Sequence, residues 1–142
     1  MVISYYGISC FKIQSGDTVL AVEPFLKDSG LTPPRFEAHA IISAIQHPNY
    51  PEDSVFNIGG PGEYEFKGIY VKGIWVNPKN TIYVIDWEGI KLAHMGNFNE
   101  KELKSEIQEQ IGAPDILFIP VGGSDTMDEE KAVKIINQIE PR

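Results

Sequence analysis

"NEKELKSEIQEQIGAPDILFIPV", residues 99–121, is where this chain changes period. Leu103, Ile107 and Ile111 fall four apart, which makes one apolar stripe of a helix. Asn99 followed by Glu102 has capping-box spacing, and Gly112 with Pro114 stops the helix. "DILFIPV" (115–121) then runs almost wholly apolar, as expected of a strand covered on both faces. Thr126 with Glu129 repeats the box spacing and opens a second helix, "MDEEKAVKIINQIE" (127–140), ended by Pro141. Helix, strand and helix closing a β-rich chain place helices against a sheet, an α+β arrangement.

Upstream, everything reads as strands and turns. "VISYY" (2–6) and "CFKIQS" (10–15) flank a turn at Gly7, and "SGD" (15–17) turns into "TVLAVE" (18–23). Phe11 and Ile13 alternate with Lys12 and Gln14, so one face of that sheet is wetter. A Pro-rich loop, "PFLKDSGLTPPRFE" (24–37), leads to "AIISAI" (40–45), a short buried strand. "SVFNI" (54–58), "EYEFKGIYVKGIWV" (63–76), "TIYVIDW" (81–87) and "IKLAHM" (90–95) follow, the last two joined by a two-residue Glu-Gly turn. The expectation is one domain over 1–142, a mostly antiparallel sheet followed by helix-strand-helix.

Twelve basic and twenty acidic residues give a net charge of −8. Phosphate binding needs Lys and Arg clusters, and there is none, so nucleic acid and anionic membrane are disfavoured as partners. The single cysteine, Cys10, excludes an internal disulfide and a Cys-based zinc cluster. No apolar run reaches transmembrane length, and "MVISYYG" lacks the features of a signal peptide. A cytoplasmic protein is the default expectation.

Several linked segments resemble the small zinc-dependent hydrolases of the metallo-β-lactamase superfamily, the branch related to ascorbate-phosphate lactonase. "ISYYGISCFKIQSGDTVLAVEPF" is similar to that family's opening, in which "GHSCF" and "DPF" flank a hairpin. "NIGGPGEYEFKGIYVKGI", "NTIYVIDWEGIKLAHMGN" and "DILFIPVGG…AVKIINQIEPR" match later segments in order. The resemblance implies an αββα sandwich with a binuclear metal site, and its H-x-H-x-D-H loop supplies neutral imidazole and anionic carboxylate donors to divalent metals.

"AIQHPNY" (44–50) falls on that loop. His47 keeps one histidine position, whereas Ile45, Asn49 and Tyr50 replace the other donors. Downstream, "AHMGN" keeps His94 but has Asn97 at the expected Asp, and the family's further histidines have no counterpart up to Arg142. Ile8 and Glu23 stand where the relatives have His and Asp. A catalytic zinc needs about three protein ligands and an open position for water. The resemblance therefore implies an inactive member with no catalytic residues and no cofactor, serving as a structural or binding protein. The alternative is a hydrolase with Zn or Mn in a site rebuilt from residues such as His94, Glu63 and Asp86 or from a second chain. Relative to the family pattern the chain is C-terminally shortened, which leads to the expectation of an uncovered sheet edge and a homo-oligomer. A small-molecule ligand in the old cleft is a third reading, its identity unknown.

Other candidates have plainer readings. His39, with no matching family role, precedes a strand, and Cys10 with Ser9 has no adjacent base. Glu63 and Glu65, two apart on a strand, share a face and form a carboxylate pair on paper. "VGGSDT" (121–126) has the glycines of an anion-cradling loop without a P-loop lysine. Tyr64, Tyr70, Trp75, Tyr83 and Trp87 follow strand alternation and read as sheet packing.

Overall fold

The computed structural model describes residues 1–122 and 125–142. They fall into two compact units, Met1–Gly60 and Pro61–Arg142. Each is built on a five-stranded mixed sheet.

The first unit contains β1 (Val2–Gly7), β2 (Cys10–Ser15), β3 (Thr18–Val22), β4 (Ala40–Ile42) and β5 (Phe56–Ile58), in that spatial order. The first two pairings are antiparallel, while β3–β4 and β4–β5 are parallel. The parallel pairs require connections over the sheet, and residues 23–39 and 43–55 supply them. Ala21 and Ile41 on one face pack with Tyr50, Phe36 and Val55 from these connections. Ile13, Leu20, Val22, Ile42 and Ile58 occupy the other face and are fully buried. The run "AIISAI" is strand only to Ile42. There the Ser43 hydroxyl takes the Ile45 backbone, donating to its carbonyl at 2.8 Å and accepting from its N–H at 3.3 Å. This short side-chain turn competes with further strand pairing.

The second unit contains β6 (Gly62–Phe66), β7 (Ile69–Asn77), β8 (Asn80–Trp87), β9 (Ile90–His94), α1 (Ser105–Ile111), β10 (Ile116–Phe118) and α2 (Glu129–Ile139). The sheet order is β10-β9-β8-β7-β6, and only β9–β10 is parallel. Lys67-Gly68 and Glu88-Gly89 both adopt positive φ, the turn conformation that matches the twist of antiparallel strands. Ile74, Val76, Ile82, Val84, Ala93 and Met95 meet Ile107 and Ile111 of α1 and Ile135 and Ile139 of α2 in one core. Among the described residues no helix is long and apolar enough to cross a membrane.

Both helices start later than the capping spacing predicts. Residues 95–104 return the chain from β9, with Phe98 and Leu103 buried, so α1 begins only at Ser105 behind an extended Lys104. Asn99 accepts two hydrogen bonds from the Lys131 ammonium instead of capping α1, at 2.7 Å on its carbonyl and 3.0 Å on Oδ1. In α2 the cap is Asp128, which accepts from the Lys131 N–H at 2.8 Å, while the Thr126 hydroxyl donates to the Gly122 carbonyl. "DILFIPV" forms only a three-residue edge strand, half-buried, rather than one covered on both faces. Its apolar residues pair with β9 on one side alone, so composition overstated its burial.

Candidate functional site

In the first unit, the turn after β4 carries four of the positions singled out in the sequence. Ile45 points outward, 55% exposed. His47 is buried, and its Nδ1 accepts the Asn49 N–H at 3.2 Å. A neutral imidazole that uses its Nδ1 lone pair carries its proton on Nε2. That Nε2–H lies 3.2 Å from the Phe25 carbonyl and donates to it. Asn49 Nδ2 donates to the Pro34 carbonyl at 3.3 Å, and the Tyr50 hydroxyl donates to the Phe36 carbonyl at 2.9 Å. The His47 and Tyr50 rings lie 5.1 Å apart. Burial, followed by the neighbouring Cys10 and Tyr6, pushes the Tyr50 phenol up to about 12. Thus His47, Asn49 and Tyr50 do come together, but what they hold is the backbone of the Pro-rich loop. Loop carbonyls partly withdrawn from water need such partners, and three side chains supply them.

Just after β3, Glu23 has φ 44°, a left-handed conformation rare for a residue with a side chain. Burial raises its carboxyl to about 7, although part of the residue remains at the surface. Cys10 is fully buried, and desolvation followed by the Glu23 charge pushes its thiol up to about 12, partly offset by a hydrogen bond from the Phe25 backbone. Such a thiol stays protonated and is no nucleophile. Glu23 is the residue whose chemistry the sequence reading missed. The available signal was an acid closing the otherwise apolar strand "TVLAV".

In the second unit, His94 ends β9, buried beside Phe118 with ring centroids 5.9 Å apart. Its Nδ1 accepts the Gly96 N–H at 3.2 Å. Gly96 has φ 60°, and a Cβ there would run into Asn80 Oδ1 and sit 3.2 Å from the Thr81 carbonyl. Asn80 clamps the same turn, donating to the Met95 carbonyl at 3.1 Å and accepting the Asn97 N–H at 2.9 Å. Asn97 itself is exposed. His39 repeats the pattern in the first unit, its Nδ1 accepting the Val19 N–H at 3.2 Å.

All three histidines of the chain therefore spend Nδ1 on a backbone amide, which leaves Nε2 protonated. Metal coordination needs a lone pair on the ring nitrogen that faces the metal. Among the described residues no group of three or more His, Cys, Asp or Glu side chains could hold a metal ion. The residues present do not fit the metal pair of the family pattern.

The remaining candidates scatter. Glu63 and Glu65 are exposed on β6, and Tyr70 and Asp86 follow across the sheet. The Tyr70 phenol is raised, by desolvation first and then by its hydrogen bond to Glu63 and the nearby carboxylates. This is a solvated face without a partner acid–base pair in a cleft. Tyr83 and Trp87 are buried as expected of sheet packing, whereas Tyr70 and Trp75 stand at the surface. Of "VGGSDT", Gly123 and Ser124 lie outside the described residues. The first unit does contain a cavity of about 880 Å³, lined among others by Lys27, Arg35, Phe36, His47, Tyr50 and Val55.

Residues 2–142 match the beta-lactamase superfamily domain. This chain belongs to that family. A UPF0173 metal-dependent hydrolase of Natranaerobius thermophilus is 22% identical over an alignment that takes in all of this chain and 80% of the relative. A structure from Thermotoga maritima, described as a Zn-dependent hydrolase of the metallo-β-lactamase superfamily, superposes with TM-score 0.79. It is 27% identical, over 99% of this chain and 71% of that one. The metallo-β-lactamase fold protein YhfI of Bacillus subtilis superposes with TM-score 0.61 at 12% identity, over 93% of this chain and 74% of that one, and shares the fold. The two mixed sheets with two helices are thus a metallo-β-lactamase fold.

Proposed function

We propose that this chain is a member of its family without hydrolytic activity, one that binds rather than turns over its ligand. The supporting observation is the common engagement of its histidines. His39, His47 and His94 each give Nδ1 to a backbone N–H, and the Asp and His positions of the family motif are Asn49, Asn97 and Tyr50. The side chains that would direct a metal-bound hydroxide here hold loops in place. The cavity beside His47 is the place for a small molecule, since it combines apolar walls with a few polar groups. Self-association belongs to the same reading, supported by the exposed apolar residues of β1.

Metal content by mass spectrometry, on protein purified without chelator or affinity-tag metal, is the test. Less than about a tenth of an equivalent of zinc, manganese or iron is expected. About one or two equivalents would overturn the reading and favour the hydrolase activity named for the relatives. Native mass spectrometry of the same sample would show a co-purified small molecule as added mass.

A further inference from the structure

We propose that the cavity of the first unit takes a small organic monocarboxylate with an apolar body. The inference rests on the binding reading above and names the class of ligand.

The space of about 880 Å³ is of the size that holds a small molecule. Leu26, Phe36, Ala38, Tyr50 and Val55 give it apolar walls, so most of a ligand there is hydrocarbon. Selection among apolar ligands then falls to the polar groups still free to bind.

The free group of the wall is a donor. The loop carbonyls of Phe25, Pro34 and Phe36 already accept from His47, Asn49 and Tyr50. His39, which also lines the cavity, has an N–H to give. Its Nδ1 is fixed on the Val19 N–H at 3.2 Å, so Nε2 carries the proton. Among the described residues that N–H has no hydrogen-bond partner, and no buried side-chain polar atom is left unsatisfied, so it is open to solvent. A half-buried donor held in one orientation beside apolar walls calls for an acceptor on the ligand.

Charge selects the acceptor. Lys27 and Arg35 line the cavity and enter no ion pair among the described residues. Lys12, opposite Ala21 on the face that the loop covers, holds its ammonium 5.6 Å from the centre of the Phe36 ring. Asp28 and Glu37 line the cavity too, so three cations stand against two anions. That local surplus of one positive charge, in a chain whose total is −8, matches a single carboxylate. A phosphate, with nearly two negative charges, would meet both acids and the stronger repulsion of the whole chain. A cationic ligand would find the Phe36 ring already beside an ammonium.

The test is NMR titration of isotope-labelled protein with hydrocinnamate and three matched probes: hydrocinnamamide, phenethylammonium and phenethyl phosphate. Amide shifts of Phe36, Ala38, His39 and Val55 report the site. Expected is a dissociation constant of about 1 mM or tighter for the carboxylate, and one about fivefold or more weaker for each of the others. Arg35→Gln and Lys27→Gln, both at exposed positions, should each weaken the carboxylate about threefold or more and leave the amide unchanged. Equal affinity for carboxylate and amide, or tighter binding of the phosphate or the ammonium, keeps the cavity as a ligand site and overturns the carboxylate. A carboxylate affinity indifferent to both variants does the same. Shifts confined to other residues, or no binding by any of the four, overturn the cavity as a ligand site and this inference with it.

Discussion

Raising the pH should weaken this protein through a single side chain. The Glu23 carboxyl is raised from its ordinary value of 4.5 to about 7 by burial at the end of β3. The folded state therefore holds that proton more tightly than the unfolded chain does. The resulting stability is fully present below about pH 4.5 and is lost as the pH rises through about 7. A gap of this size corresponds to about 3 kcal/mol at the alkaline plateau, at about 1.4 kcal/mol per pH unit. Part of Glu23 touches solvent, which lowers the working figure to about 2 kcal/mol. Glu23→Gln is the matched perturbation, because glutamine keeps the shape, stays neutral, and meets the same left-handed backbone with the same Cβ. Urea unfolding of both proteins at pH 5, 6, 7 and 8 reads the effect. The difference in stability between variant and wild type should grow by about 1.5 kcal/mol from pH 5 to pH 8, since part of the loss falls below pH 5, or somewhat under 1 M in midpoint for a chain of this size. Parallel pH profiles would refute the reasoning, since they would mean that Glu23 ionises alike in the folded and unfolded chains.

His47→Ala should cost about 1–3 kcal/mol in chemical unfolding, because it removes the ring that joins the partly buried Phe25 carbonyl to the Asn49 N–H. A loss below about 0.5 kcal/mol would show that water replaces the ring without penalty. Tyr50→Phe removes only the hydroxyl bond to the Phe36 carbonyl and should cost about 1 kcal/mol, read as a lowered thermal midpoint. Gly96→Ala should destabilise by at least about 1–3 kcal/mol, since it combines a positive φ with the approach to Asn80 and Thr81, and a neutral result would dismiss that turn as a constraint. Adding zinc or a chelator should leave the thermal midpoint unchanged. A rise with zinc beyond about 3 °C would reveal a bound metal.

Strands were the most legible part of the sequence, for physical reasons visible at particular residues. β2 has the bounds read from "CFKIQS", because Gly7 and the Gly16-Asp17 turn punctuate it. The Glu88-Gly89 turn follows from chemistry that suits few other structures. Helix starts were less legible. The spacing of Asn99 and Glu102 satisfies a capping rule, but burial of Phe98 and Leu103 took that segment for the return from β9. At the candidate site, the family resemblance implied, residue by residue, which positions to look at. What the remaining histidines do could not be read from it. His47 finds the Phe25 carbonyl 22 positions away, and His39 finds Val19 across 20, so their partners depend on how the sheet is folded. The raised Glu23 carboxyl was hidden for the same reason, because desolvation comes from neighbours that are distant in sequence.

The contrast between the two sheets has a kinetic consequence. β6, β7, β8 and β9 are joined in sequence by tight turns, so their pairing closes only short loops. β3, β4 and β5 pair across residues 23–39 and 43–55, and the chain must order those longer excursions before any parallel hydrogen bond rewards it. The meander is the natural nucleus, and docking of β4 and β5 the late event. A nascent chain or a refolding one would thus spend longest with Ile41, Ile42 and Ile58 unpaired, and that interval is when "AIISAI" is most open to aggregation.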